Sequence, residues 1–133
     1  MKHYPFFFQK LNFDCAYACI KMLCVYYEKK YDYILSEQRN MGFNINHIIF
    51  ELENQGFNCY AVKVQFDKLI LLQSFPCIAY YPKGHFVVIY NIDIGIVIAD
   101  PLLGLYEMDK TLFFSEWLNG EKGIIILATP IAL

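Results

Sequence analysis

The apolar residues of this 133-residue chain change their spacing at Gly56, and that change limits the folds open to it. Before Gly56 they recur at steps of three and four. Ala16, Cys19, Ile20, Leu23 and Tyr27 form one stripe over Cys15 to Glu28, and Ile45, Ile48, Ile49 and Leu52 form another from about Asn46 to Gln55. Both predict helices. Asp14 stands before the first as a candidate N-cap, and Lys29 and Lys30 follow it where a helix dipole favours cations. Asn44 or Asn46 would cap the second, and Gly56 would end it. After Gly56, Phe57 to Val64 alternates apolar and polar and reads as a strand. Cys77 to Tyr81, His85 to Ile92, Gly95 to Ala99, Leu105 to Met108 and Ile124 to Ala128 follow, rich in Ile, Val and Tyr and separated by Pro, Gly, Asn and Asp. Short helices are expected at Asp67 to Leu72 and Lys110 to Trp117, and a hairpin turn at Asn91 to Gly95. Helices first and antiparallel strands after predict an α+β fold.

The length suits a single domain over residues 1–133. Hydrophobic residues make up 57% and charged residues 18%, so the chain can bury a core and is far from a disordered composition. Twelve Phe and 11 Tyr exceed what such a core needs and imply apolar surface for a partner. A net charge of −2 argues against nucleic acid as that partner. The apolar runs Leu69 to Pro82 and Gly123 to Leu133 fall short of the about 18 residues of a spanning helix. The start, Met1 to Phe8, lacks the long apolar region and cleavage site of a signal peptide. A soluble, unexported chain is expected, its five cysteines (15, 19, 24, 59 and 77) free thiols. No Gly-rich phosphate loop is present, so ATP hydrolysis would lie outside this chain, and no cofactor is expected.

Reactive chemistry concentrates on a few positions. Cys15 opens the first expected helix, where a thiolate would face backbone N–H groups and the positive end of the dipole. A cysteine nucleophile needs a base, and the base an orienting group. His3 lies in the N-terminal tail and His47 at a helix start, where a surface role suffices. His85 opens the apolar strand Phe86 to Tyr90, and Asp100 ends Ile96 to Ala99 just before Pro101. A hairpin at Asn91 to Gly95 would bring His85 and Asp100 to one end of the sheet, with the imidazole between Asp100 and Cys15. Taken singly, Cys15 also fits a buried structural thiol, His85 a hydrogen-bonded strand-end histidine, and Asp100 a turn residue. Cys15, Cys19 and His85 could be read as metal ligands, but no fourth ligand or second Cys pair accompanies them, and no metal is expected. Cys19, Cys24 and Trp117 read as packing residues.

The stretch Gln9 to Met22 resembles the nucleophile motif of the double-glycine leader peptidases, the cysteine peptidase domains of peptidase-containing ABC transporters that process bacteriocins and related peptides. The motif has Gln six residues before the catalytic Cys, an acidic residue directly before it and a second Cys four after, matched by Gln9, Asp14, Cys15 and Cys19. Gly84 to Ile89 resembles the family's histidine strand, Asp100-Pro101-Leu102-Leu103-Gly104 its Asp-Pro-x-x-Gly turn, and Phe113 to Gly120 its Phe-x-x-x-Trp segment. Gly42 to Val64 follows the family order of helix, Gly and strand. The resemblance covers essentially the whole chain.

It implies a papain-like cysteine peptidase fold, N-terminal helices packed on an antiparallel sheet, with Cys15 as nucleophile, His85 as base and then acid, Asp100 as its orienter, and Gln9 with the Cys15 N–H as oxyanion hole. It further implies cleavage after a Gly-Gly pair, a leader bound as an amphipathic helix, and an ABC transporter membrane domain as partner, at the cytoplasmic face of the inner or plasma membrane. Because the chain stops where the family's peptidase domain ends, an excised N-terminal transporter domain is expected rather than a stand-alone papain-like peptidase. A non-catalytic leader-binding domain is the alternative of a different class. One position departs from the pattern. The family usually has Gly after the nucleophile, and Ala16 stands here, a change that a helical backbone would absorb.

Overall fold

The unbroken apolar stretch Phe86 to Tyr90 needs cover on both sides of a sheet, and the fold supplies it. The computed structural model describes residues 3–10, 14–31 and 44–131. Residues 11–13 of the nucleophile motif, 42–43 of the segment before the second helix, and 132–133 of the C-terminal run lie outside the described residues.

Helices α1 (Cys15–Tyr26) and α2 (Ile45–Asn54) come first. The strands are β1 (Phe57–Val64), β2 (Cys77–Tyr81), β3 (His85–Ile92), β4 (Ile96–Asp100), β5 (Gly104–Met108) and β6 (Gly123–Pro130). Short helices α3 (Phe66–Leu72) and α4 (Lys110–Trp117) fall between strands. The sheet runs β1-β6-β2-β3-β4-β5 with every pairing antiparallel. This is the α+β arrangement that the change of period predicts.

Helices α1 and α2 cover one face, where Ile20, Leu23, Ile48 and Leu52 meet Ile78, Phe86, Val88 and Ile126. Helices α3 and α4 cover the other, where Leu69, Phe113 and Trp117 meet Ala79, Val87, Ile89 and Ile125. Each fully buried side chain of this size contributes about 1.5–3 kcal/mol. The two-sided cover explains the sequence texture. Central β3 is buried at nearly every position, whereas edge strands β1 and β5 vary between buried and exposed positions along their length. Trp117 stacks on Phe113 at 5.1 Å and donates its Nε1–H to the Ile124 carbonyl at 2.9 Å. A Cβ at Gly123 would come within 2.1 Å of that indole, so β6 must start without a side chain.

Two end signals resolve differently from their sequence reading. Helix α1 stops at Tyr26 because Glu28 takes a left-handed φ of 61°, and the Lys29 N–H closes on the Cys24 carbonyl at 2.7 Å. The Lys29 ammonium then lies 5.5 Å from the centre of the Phe57 ring instead of in the last helical turn. Asp14 occupies the N-cap position of α1 without a side-chain capping bond. Asn44 does cap α2, accepting the His47 N–H at 3.0 Å. Among the described residues no helix is long and apolar enough to cross a membrane.

Candidate active site

Cys15 is the first residue of α1, 7% exposed, on the helix layer that packs against β3. Ala16 behind it is helical and fully buried, so its backbone has no need of glycine. Cys19, one turn on, is buried under the same layer.

His85 reaches the site through a turn. The Gly84 N–H donates to the Tyr81 carbonyl at 2.8 Å, and Gly84 takes a φ of 97°, which L side chains rarely adopt. The turn sets His85 opposite Tyr81 as the first residue of β3. Across the next hairpin Val88 pairs with Ala99. Carried one step further, that register sets Asp100 opposite Val87 and diagonal to His85 on the same face, within side-chain reach. The His85 Nε2 and Asp100 Oδ1 are accordingly 2.7 Å apart. Nδ1 is free of that bond, and Cys15 lies close enough to the imidazole to help raise its pKa.

The Asp100 carboxylate is nearly buried and is held from its own turn. Oδ1 also accepts the Leu102 N–H at 2.9 Å, and the Leu103 N–H bonds the Asp100 carbonyl at 3.1 Å. Burial works to raise this carboxyl. The bonds from His85 and Leu102 and the charge of His85 outweigh it and hold Asp100 below its ordinary 3.8. Burial likewise works to lower His85, but the bonds with Asp100 and Cys15, and their charges, raise it from 6.5 to about 9. His85 is therefore an imidazolium at neutral pH, placed between a carboxylate and a thiol.

Gln9 arrives on the irregular N-terminal segment. Its backbone N–H donates to the Pro101 carbonyl at 2.9 Å, which ties it to the residue after Asp100. The next residue, Lys10, donates its N–H to Oδ2 of the fully buried Asp14 at 2.9 Å, which ties it to the residue before Cys15. Gln9 thus sits between two anchors, one beside each end of the Cys15–His85–Asp100 chain. Sequence spacing gave no sign of either anchor, because both are backbone bonds between segments distant or irregular in structure. Tyr81, assigned from sequence only to a strand, lies beside His85 with ring centres 6.1 Å apart. His3 and His47 are exposed and lie outside this constellation. Among the described residues no three His, Cys, Asp or Glu side chains converge as a metal-binding set.

An imidazolium bonded to a carboxylate and placed near a thiol is equipped for nucleophilic acyl transfer. Comparison with known proteins agrees with that chemistry. Residues 3–131 match the peptidase C39 family. The chain is 28% identical over 111 residues to the colicin V secretion/processing ATP-binding protein CvaB of Escherichia coli, covering 80% of this chain and 16% of that protein. It is 30% identical over 105 residues to the probable microcin-H47 secretion/processing ATP-binding protein MchF of Escherichia coli, covering 75% of this chain and 15% of that protein. The chain thus spans about a sixth of the length of these curated relatives. In structure it resembles the peptidase domain of Streptococcus ComA, with a TM-score of 0.84 at 23% identity over 97% of this chain and all of that domain. It also resembles a double-glycine-motif protease from an AMS/PCAT transporter in complex with the leader peptide, with a TM-score of 0.82 at 24% identity over 96% of this chain and 91% of that one. These two likenesses show the fold, and the match along nearly the whole sequence shows the family: the chain belongs to the peptidase C39 family.

Proposed function

We propose that residues 1–133 form one cysteine endopeptidase domain that removes double-glycine leaders from precursor peptides during export. The observation that carries this reading is the His85–Asp100 pair, Nε2 to Oδ1 at 2.7 Å, on a ring that Cys15 at the start of α1 also influences. The family supports the reaction class. The names of the two Escherichia coli relatives, both secretion/processing proteins, and the leader-bound double-glycine protease support the substrate class.

The geometry supports the following roles. The Cys15 sulfur attacks the carbonyl carbon of the second glycine as a thiolate, with its proton on His85. A C–S bond forms and the carbonyl electron pair moves to oxygen. The Cys15 N–H at the helix start and the Gln9 side-chain amide donate to that oxyanion. The oxyanion collapses, the C–N bond breaks, and His85 gives its proton to the departing amine of the cargo. His85 then takes a proton from water as the water oxygen attacks the thioester; the C–S bond breaks, the leader leaves with a free carboxyl group, and the thiolate and imidazolium are restored. Asp100 keeps the imidazole oriented throughout. A leader bound as an amphipathic helix, an attached ABC transporter membrane domain and a site facing the cytoplasm complete the proposal.

The test uses synthetic precursor peptides that differ only at the cleavage point, Gly-Gly against Gly-Leu and Leu-Gly. Cleavage after Gly-Gly alone, abolished in Cys15→Ala with leader binding retained, is the expected result. A wild-type chain that binds such leaders but cleaves none of them is a binding module, and one that cleaves all three peptides alike is a peptidase of another substrate class.

A further inference from the structure

The N-terminal segment that carries Gln9 has no helix or strand of its own, so its backbone polar groups need partners from elsewhere. Its far end is fixed on the sheet. The Tyr90 hydroxyl, at the buried end of a side chain only 4% exposed, donates to the Pro5 carbonyl, 85 residues away in sequence. The Tyr4 ring stacks on Tyr90 with centres 4.7 Å apart and planes 24° from parallel. The Lys21 ammonium of α1 lies 4.5 Å from the centre of the Phe7 ring, midway along the segment. The near end is the pair of bonds from Gln9 to Pro101 and from Lys10 to Asp14. Residues 4–10 therefore form a strap stretched from β3 to the start of α1, and Gln9 lies on it just before its last anchor. The strand that supplies the far anchor is the one that begins with His85.

We infer that Tyr90 is a positioning residue for Gln9, acting through the N-terminal strap that its hydroxyl holds. The inference rests on the proposed oxyanion role of Gln9. Oxyanion stabilisation depends on a donor held in place before the reaction, and a donor on an irregular segment is only as fixed as the anchors of that segment. Tyr90 stands five residues along β3 from His85, so its loss should affect the oxyanion and leave the nucleophile intact.

A double-mutant cycle on the full chain separates the possibilities. The readouts are kcat and KM on the Gly-Gly precursor peptide, binding of a peptide aldehyde ending in Gly-Gly, and the rate of Cys15 alkylation by iodoacetamide. Gln9→Ala should lower kcat by about 100-fold or more, in the range for loss of an oxyanion donor. Tyr90→Phe keeps the ring stack and removes only the hydroxyl. It should lower kcat and aldehyde affinity about ten-fold with KM and alkylation unchanged, and the loss should vanish in the Gln9→Ala background. Tyr4→Leu loosens the strap without altering the sheet, and it is read in the same way if Tyr90→Phe does not fold. Equal losses in both backgrounds, a parallel fall in alkylation, or no loss at all would overturn the inference while leaving Gln9 its role. A Gln9→Ala variant with full activity overturns the role of Gln9 itself.

Discussion

Oδ2 of Asp14 accepts the backbone N–H of Lys10 at 2.9 Å, so the residue before Cys15 holds the residue after Gln9. The acidic position of the motif therefore acts here as a clamp on Lys10 and makes no helix-capping bond with its side chain. Asp14→Ala removes the acceptor and should lower kcat about ten-fold, the rate equivalent of one hydrogen bond of ~1.4 kcal/mol. Asp14→Asn keeps an acceptor oxygen and should recover most of that loss. Steady-state kinetics on the Gly-Gly peptide checks both.

The ionic pair sets a pH dependence. His85 is raised to about 9, chiefly against the lowering effect of burial, by its bonds with Asp100 and Cys15. Turnover should therefore decline as pH rises through about 9 and the imidazolium loses its proton. Asp100→Asn removes the charge that lifts His85, so the alkaline limb should move down toward the ordinary imidazole value of 6.5. A limb that stays in place would dissociate Asp100 from His85.

Stability carries the same signature in a different window. The folded value of His85 lies above 6.5, so its contribution is complete below 6.5 and is lost as pH rises through about 9. Asp100 lies below 3.8, so its contribution is complete above 3.8 and is lost as the pH falls through its lowered value. The melting deficit of a His85→Ala/Asp100→Ala variant should be largest between about pH 4 and 6.5 and shrink on either side. Calorimetry across that range measures it.

The thiols should differ sharply in reactivity. Cys15 is 7% exposed beside an imidazolium, whereas Cys19, Cys24 and Cys77 are fully buried. Burial pushes the Cys24 thiol up to about 11 and Cys77 to about 12, and it raises Cys19 as well. Partly exposed Cys59 is pushed up to about 11 by burial and donates to the Ile49 carbonyl at 3.4 Å. Brief iodoacetamide treatment at neutral pH should label Cys15 first, Cys59 slowly, and the other three only after unfolding. His85→Ala should slow Cys15 labelling about ten-fold. Peptide mapping by mass spectrometry reads all five positions.

Gly123→Ala places a methyl group within 2.1 Å of the Trp117 indole, which also stacks on buried Phe113. Overpacking of this kind costs about 3 kcal/mol. For a domain of this size the melting temperature should fall by roughly 10 °C. Cleavage well below the melting point should persist, because the Trp117 that Gly123 faces packs in the cluster away from α1.

Local pattern was sufficient wherever one periodicity governed a segment. The expected bounds of β1, β2, β3 and α4 coincide with those observed, because turn residues flank each and its apolar spacing is unambiguous. The hairpin that joins His85 to Asp100 was legible for the same reason: its turn lies within a few residues of both strands. The end of α1 was not, because Lys29 finds an aromatic ring in β1 that no nearby residue announces. Nor was the hold on Gln9, which depends on carbonyls of Pro5 and Pro101 meeting partners across the fold. Asp14 was legible as a position and not as an interaction, since its carboxylate bonds backward along the chain.

Trp117 is the only tryptophan in the chain, and it is wholly buried on the α4 side of the sheet, in the opposite helical layer from Cys15. Its ultraviolet emission is therefore a built-in optical gauge of global integrity. Any variant described above can be screened by light alone, so that a silent enzyme is told apart from a collapsed one before a substrate is added.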